Sequence, residues 1–221
     1  MSEIVIIQQA VMAEDEKYAL RIRDTLRDKK ILSVNIIGSP GCGKTTLLEQ
    51  TAEKAGFYFA VIEGDLETSR DAERLAAVNV RALQINTKGA CHLEAHVVEK
   101  AISSLERGGR LDVIFIENVG NLVCPAAFDL GEAHKVAVLS VTEGEDKPLK
   151  YPDMFAAASL MLLNKTDLLP HLDFDVAMAL DYARRVNPRI GVLQVSARTG
   201  EGMGAWLDWI RAGCLSARAL R

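Results

Sequence analysis

The chain has 221 residues, 49% of them hydrophobic, enough to bury one sizeable core near the upper end of a single compact domain. Its 26 basic and 30 acidic residues leave a formal charge of -4, which offers no bulk attraction to a polyanion and argues against nucleic acid as a partner. No basic segment precedes an apolar stretch at the amino terminus and no run reaches transmembrane length, so no membrane association is expected and the chain reads as cytoplasmic.

Residues 9–29 have the charge and spacing of an amphipathic helix, the body of an N-terminal helical extension (1–29) packed on a domain formed by 30–221, with one domain overall. Short β-branched runs then alternate with helical stretches. Strands are predicted at 31–37, 57–62, 80–85, 113–116, 136–141, 160–163 and 192–195, and helices at 45–54, 70–77, 93–106, 176–185 and 203–212. Most strand runs lack polar alternation and so read as buried on both faces. That pattern predicts an α/β fold, a doubly wound and mainly parallel sheet with helices on both sides. The connection 117–134, rich in Gly, Asn and Pro, is long enough to expect a functional loop.

Directly after the first strand stands Gly38-Ser39-Pro40-Gly41-Cys42-Gly43-Lys44-Thr45, followed by Thr46, which meets G-x-x-x-x-G-K-[ST] at every defined position in the required strand–loop–helix setting. This is the phosphate loop of a P-loop NTPase: glycines turn backbone N–H groups inward, Lys44 reaches the outer phosphates and Thr45 offers its hydroxyl to magnesium. Magnesium also needs strand-end carboxylates. Asp65, after the second strand, and Glu117, ending the strand after Asp112, project toward that crevice, whereas Asp112 points to the opposite edge. Capping of a helix starting near position 67 is the structural alternative for Glu63 or Asp65. Lys44 and Asp65 are the catalytic candidates, Asp65 by orienting the attacking water. No glutamine or arginine finger is evident, so slow intrinsic turnover is expected.

After the strand 160–163, in what reads as the fourth strand–loop unit past the phosphate-loop strand, comes Asn164-Lys165-Thr166-Asp167. The Asp167 carboxylate can accept from guanine N1–H and its 2-amino group, donors that adenine lacks. Lys165 can lay its stem along the base, Asn164 can tie this loop to the phosphate loop, and Ser196-Ala197 supplies a second base-contacting loop. The ligand is therefore expected to be GTP or GDP with magnesium.

Cys91 and His92 follow the third strand and Cys124 lies in the long loop after Glu117, both loops leaving the same sheet edge. Two thiolates and an imidazole suit nickel or zinc, and a fourth ligand could come from water, a transferred partner ligand or a second subunit; buried small cysteines that only pack are equally compatible with the spacing.

The phosphate loop, Cys91-His92-Leu93-Glu94-Ala95, Glu117-Asn118-Val119-Gly120-Asn121-Leu122-Val123-Cys124-Pro125, the stretch 143–152 and Asn164-Lys165-Thr166-Asp167 together resemble the hydrogenase nickel-insertion GTPases, the HypB family, over nearly the whole chain. The Cys-Pro-His element of the related urease-maturation GTPases is absent. The resemblance implies that Cys91, His92 and Cys124 bind nickel or zinc at a subunit interface and that GTP favours a homodimer. It also implies a small zinc-containing accessory protein and a nickel–iron hydrogenase large-subunit precursor as partners. Residues 1–30 contain neither Cys nor His, so the nickel-storing stretches of some relatives are not expected here. Cys42 stands where relatives commonly carry serine; a redox or metal role is conceivable for it, and packing is the preferred reading. A metal-free regulatory GTPase and a P-loop small-molecule kinase remain the competing functions.

Overall fold

A computed structural model describes residues 3–65, 70–87 and 89–219, with the side chains of 3–13, Asp65 and Arg70 outside the description. The predicted architecture is present. Among the described residues, β1 (Leu32–Gly38), β2 (Phe59–Asp65), β3 (Arg81–Asn86), β4 (Val113–Glu117), β5 (His134–Ser140), β6 (Leu160–Asn164) and β7 (Gly191–Gln194) form one sheet in the order β3-β2-β4-β1-β5-β6-β7. Every pairing is parallel. Because β1 lies between β4 and β5, the chain reverses its winding direction at the carboxyl end of β1, where a doubly wound sheet opens a crevice.

Successive side chains of the buried strands feed opposite faces. Val113 and Phe115 join the core under α2 (Lys44–Lys54), α3 (Arg70–Ala77) and α9 (Met203–Ala219), with Leu47, Leu48, Leu75 and Trp206. Ile114 and Ile116 join the core under α1 (Glu3–Asp28) and α4 (Ala95–Glu106). On that same side, Ile37, Leu139 and Leu163 pack with α7 (Pro152–Ala157) and α8 (Val176–Val186). The long connection carries the short α5 (Cys124–Ala127), and α6 (Lys147–Lys150) precedes α7.

The amino-terminal helix runs from Glu3, earlier than the predicted start at 9. Ala19, Ile22 and Leu26, spaced along one stripe, are buried against α4, and burial of the Ile and Leu is worth about 1.5–3 kcal/mol each. Arg21–Glu99 (2.8 Å) and Arg23–Asp129 (2.7 Å) fasten its flanks. At the other end, α9 continues to Ala219 where the prediction stopped at 212, before Gly213. Glycine does not end this helix because Gly213 lies against Leu32, whose Cδ2 would be 2.8 Å from an added Cβ. The N-K-x-D loop follows β6, the fifth strand after β1 and not the fourth.

Candidate functional site

Gly41 and Gly43 take φ of 72° and 100° between β1 and α2, a left-handed backbone that L side chains rarely adopt. A Cβ on Gly43 would also run into the side-chain amide of Asn164. The turn so formed opens on a cavity of about 460 Å³ lined by Pro40, Gly41, Gly43, Lys44, Thr45, Thr46, Glu63, Asp71, Arg74, Glu117 and Lys165 among others. Lys44 Nζ donates to the carbonyls of Ser39 (3.3 Å) and Gly38 (3.5 Å), which holds its charge over the loop. Cys42 points the other way, into the core at 1% exposure, and burial pushes its thiol up to about 11 against the pull of Lys44. The packing reading of Cys42 fits this place.

Thr45 Oγ1 donates to Glu117 Oε1 at 2.7 Å, and Glu117 Oε2 is buried with no hydrogen-bond partner among the described residues. Burial drives the Glu117 carboxyl up to about 7, opposed by Lys44 and by the Thr45 hydrogen bond. A hydroxyl and an orphaned carboxylate oxygen at the mouth of a phosphate loop are the donor set a magnesium ion takes, so the residues fit that ion. Asp65 occupies the last position of β2, inside the strand and not after it, and its side chain lies outside the described residues. Glu63, two residues earlier, is in register with Glu117 on the neighbouring strand and lines the cavity. The signal for it in the sequence is its place two residues before Asp65 at the end of the same apolar run.

The base loop is tied to the phosphate loop as anticipated. Asn164 Nδ2 donates to the Cys42 carbonyl (2.9 Å) while its Oδ1 accepts from Ala197 N (3.1 Å). Lys165, in the left-handed region at φ 64°, donates from Nζ to the Gly41 carbonyl (2.6 Å). Asp167 Oδ1 accepts from Ser196 Oγ (2.6 Å), so the carboxylate is oriented by the loop after β7.

Cys91, His92 and Cys124 come together: their ligand atoms lie within 4.8 Å of one another, the Cys91 and Cys124 sulfurs 2.7 Å apart and Cys91 Sγ 3.5 Å from His92 Nδ1. Both cysteines are free thiols. The imidazole of His92 stacks on Phe128, centroids 3.7 Å apart at 16°, and burial lowers its pKa, favouring the neutral ring that can ligate a metal. The Cys91 thiol is raised chiefly by its hydrogen bond with Cys124, then by burial. Three soft or borderline donors leave room for a fourth, and suit nickel or zinc.

The two centres are mechanically joined. Asn121 pairs its backbone with Gly38 of the phosphate loop and donates its side-chain amide to the Cys91 carbonyl (3.2 Å). Gly120 lies against Pro40, where a Cβ would come within 2.9 Å of the proline ring. Asn118 donates to Asn35 in β1 (3.3 Å), and its Oδ1 accepts from Leu93 N (3.4 Å), just after His92. Phe128, Asp71 and Arg74 escaped the sequence reading, and Asn121 entered it only as part of the stretch Glu117 to Pro125 with no role of its own: a stacking phenylalanine or a helix arginine carries no motif.

Fold and phosphate loop define a nucleotide-binding protein of the P-loop GTPase class, and residues 32–194 match the family model "CobW/HypB/UreG, nucleotide-binding domain". The chain is 60% identical over 213 residues to the hydrogenase maturation factor HypB of Azotobacter chroococcum mcd 1, covering 95% of this chain and 69% of that protein. It is 54% identical over 202 residues to HypB of Escherichia coli (strain K12), covering 90% and 69%. The crystal structure of HypB from Helicobacter pylori in complex with nickel superposes with a TM-score of 0.89 at 36% identity, covering 92% of this chain and 96% of that one. The chain belongs to the HypB family of hydrogenase maturation factors. Among the described residues no helix is long and apolar enough to cross a membrane.

Proposed function

We propose that this chain hydrolyses GTP and uses the nucleotide state to govern its hold on nickel during maturation of a nickel–iron hydrogenase. The observation that carries the reading is Asn121, bonded at once to the phosphate loop and to the metal-site backbone, so that a shift of one loop is felt by the other.

In this reading Gly38 to Thr46 cradle the phosphates, with Lys44 neutralising charge on the outer ones as it develops in the transition state. Thr45, Glu117 and Asp65 would hold magnesium, which would supply neutralisation of phosphate charge. Asp65 orients the attacking water. Asn164, Lys165, Asp167, Ser196 and Ala197 select guanine. Cys91, His92 and Cys124 carry the cargo metal, nickel or zinc, the fourth ligand arising from a second copy, water or a partner. The chain acts in the cytoplasm as a homodimer when GTP is bound, with a small zinc-containing accessory protein and the hydrogenase large-subunit precursor as partners. Residues 1–29, of which 1–2 lie outside the described residues, serve as an N-terminal extension packed on a single GTPase domain, 30–221. The nickel complex of the Helicobacter pylori relative supports the choice of cargo.

A tenfold change in metal affinity asks for only about 1.4 kcal/mol of differential stabilisation between nucleotide states. The test is a nickel titration of metal-stripped protein with GDP and then with a non-hydrolysable GTP analogue, with the Cys91→Ala/Cys124→Ala variant alongside. A nucleotide-dependent affinity that vanishes in the variant is expected. Equal weak binding in every sample would withdraw the metal role and leave a guanine-nucleotide switch.

A further inference from the structure

Arg74 is the arginine of the phosphate cavity among the described residues, and nothing in the phosphate-loop or base motifs accounts for it. Its guanidinium is held from two sides by carboxylates: Nε and Nη2 donate to Glu49 (2.9 and 2.6 Å) and Nη1 donates to Asp71 (3.0 Å). The same Nη2 donates to Thr46 Oγ1 (3.0 Å). Thr46 follows Lys44 and Thr45 in the first turn of α2, the end whose N–H groups face an anion. Asp71 and Arg74 line the same cavity as Lys44, Thr45 and Glu117.

Resting on the GTP reading above, we propose that Arg74 is a phosphate ligand of the nucleotide, held beside the cavity by Glu49 until a polyphosphate competes for it. A planar guanidinium recognises phosphate oxygens as readily as carboxylate oxygens, and a second anion in the cavity draws it through the Thr46 edge without moving α3. Glu49 is a restraint on this ligand. Removing Glu49 therefore tightens nucleotide binding, while removing Arg74 weakens it, a sign reversal that a merely structural ion pair between α2 and α3 does not produce.

The experiment titrates the full chain with a fluorescent GDP and a fluorescent non-hydrolysable GTP analogue in magnesium, comparing Arg74→Gln, Glu49→Gln and the double variant. The side chains of Arg74 and Glu49 are 44% and 22% exposed and neither belongs to a hydrophobic core, so both replacements leave the core untouched. Arg74→Gln is expected to weaken both ligands about tenfold, close to the loss of one charge-assisted hydrogen bond, and Glu49→Gln to tighten them about threefold. In the Arg74→Gln background the Glu49→Gln gain should vanish. Unchanged affinities with only a lower melting temperature would overturn the assignment, as would a Glu49→Gln gain that persists without Arg74. Wild-type protein that binds neither ligand would overturn the GTP reading itself, and this assignment with it.

Discussion

The hydroxyl of Thr45 donates to Glu117 at 2.7 Å, so the phosphate loop and the end of β4 meet at one point. Glu117→Gln keeps an acceptor for Thr45 and removes the charge. Magnesium-dependent GTP hydrolysis should fall by about a hundredfold, while base selection stays intact. Release of phosphate measured across a magnesium titration checks this, and unchanged turnover would remove Glu117 from the magnesium site.

Asp167 Oδ1 accepts from Ser196 Oγ at 2.6 Å, and in the proposed role the carboxylate accepts two donors from guanine. Asp167→Asn replaces an acceptor edge with a mixed one that matches xanthine. GTP affinity should drop about a thousandfold, the loss of two charge-assisted hydrogen bonds, and XTP should take its place. Competition between the two triphosphates for a fluorescent probe reads the switch; a variant that still prefers GTP would refute the role.

Asn121 can be removed without touching either ligand set. In Asn121→Ala, nickel should still bind through Cys91, His92 and Cys124, yet the affinities measured with GDP and with a GTP analogue should converge. Persistence of the wild-type ratio would show that coupling runs by another route.

The four cysteines should separate by reactivity. Cys42 is buried and pushed up to about 11, leaving roughly one part in a thousand as thiolate at pH 8. Brief alkylation of the native, metal-stripped protein should therefore label exposed Cys91 and half-buried Cys124 and spare Cys42 and Cys214, as peptide mass spectrometry would reveal. Rapid labelling of Cys42 would contradict its packing role.

Asp112, at the opposite edge from the phosphate cavity, is a structural clasp: it accepts from Tyr58 N (3.0 Å), Arg110 (3.1 Å) and Arg218 (2.7 Å). Burial alone would raise its pKa, but these donors hold it below the ordinary value of 3.8. Its charged form therefore stabilises the fold above about pH 3.8, and that stability is lost as pH falls through the depressed folded value. Asp112→Asn should cost about 2 kcal/mol at pH 7, with the deficit shrinking below pH 3.8. Urea midpoints of the two proteins across that range test the sign.

Much of the nucleotide site was legible because its chemistry is local. Gly41, Gly43, Lys44 and Thr45 must be adjacent for one turn to wrap a phosphate, and Asn164 to Asp167 must be adjacent to read one base edge. Strand positions were legible for the same reason, since a strand buried on both faces has to be a continuous apolar run. Boundaries failed where a residue's partner is distant. Gly213 stays helical because Leu32 packs on it, and Glu63 belongs to the cavity because β2 and β4 pair in that register.

The sequence by itself determined the phosphate loop, the N-K-x-D loop and the parallel sheet, which follow from residue type and short spacing, while Cys91, His92 and Cys124 stood out as candidate metal ligands only through the resemblance to the HypB family. Only the tertiary structure decided that Cys91, His92 and Cys124 meet, that Phe128 covers the imidazole, that Asn121 bridges metal loop and phosphate loop, and that Arg74 faces the cavity. Those relationships join segments some thirty or more residues apart, or turn on which way a side chain points. They depend on strand order and loop closure, which no local pattern encodes.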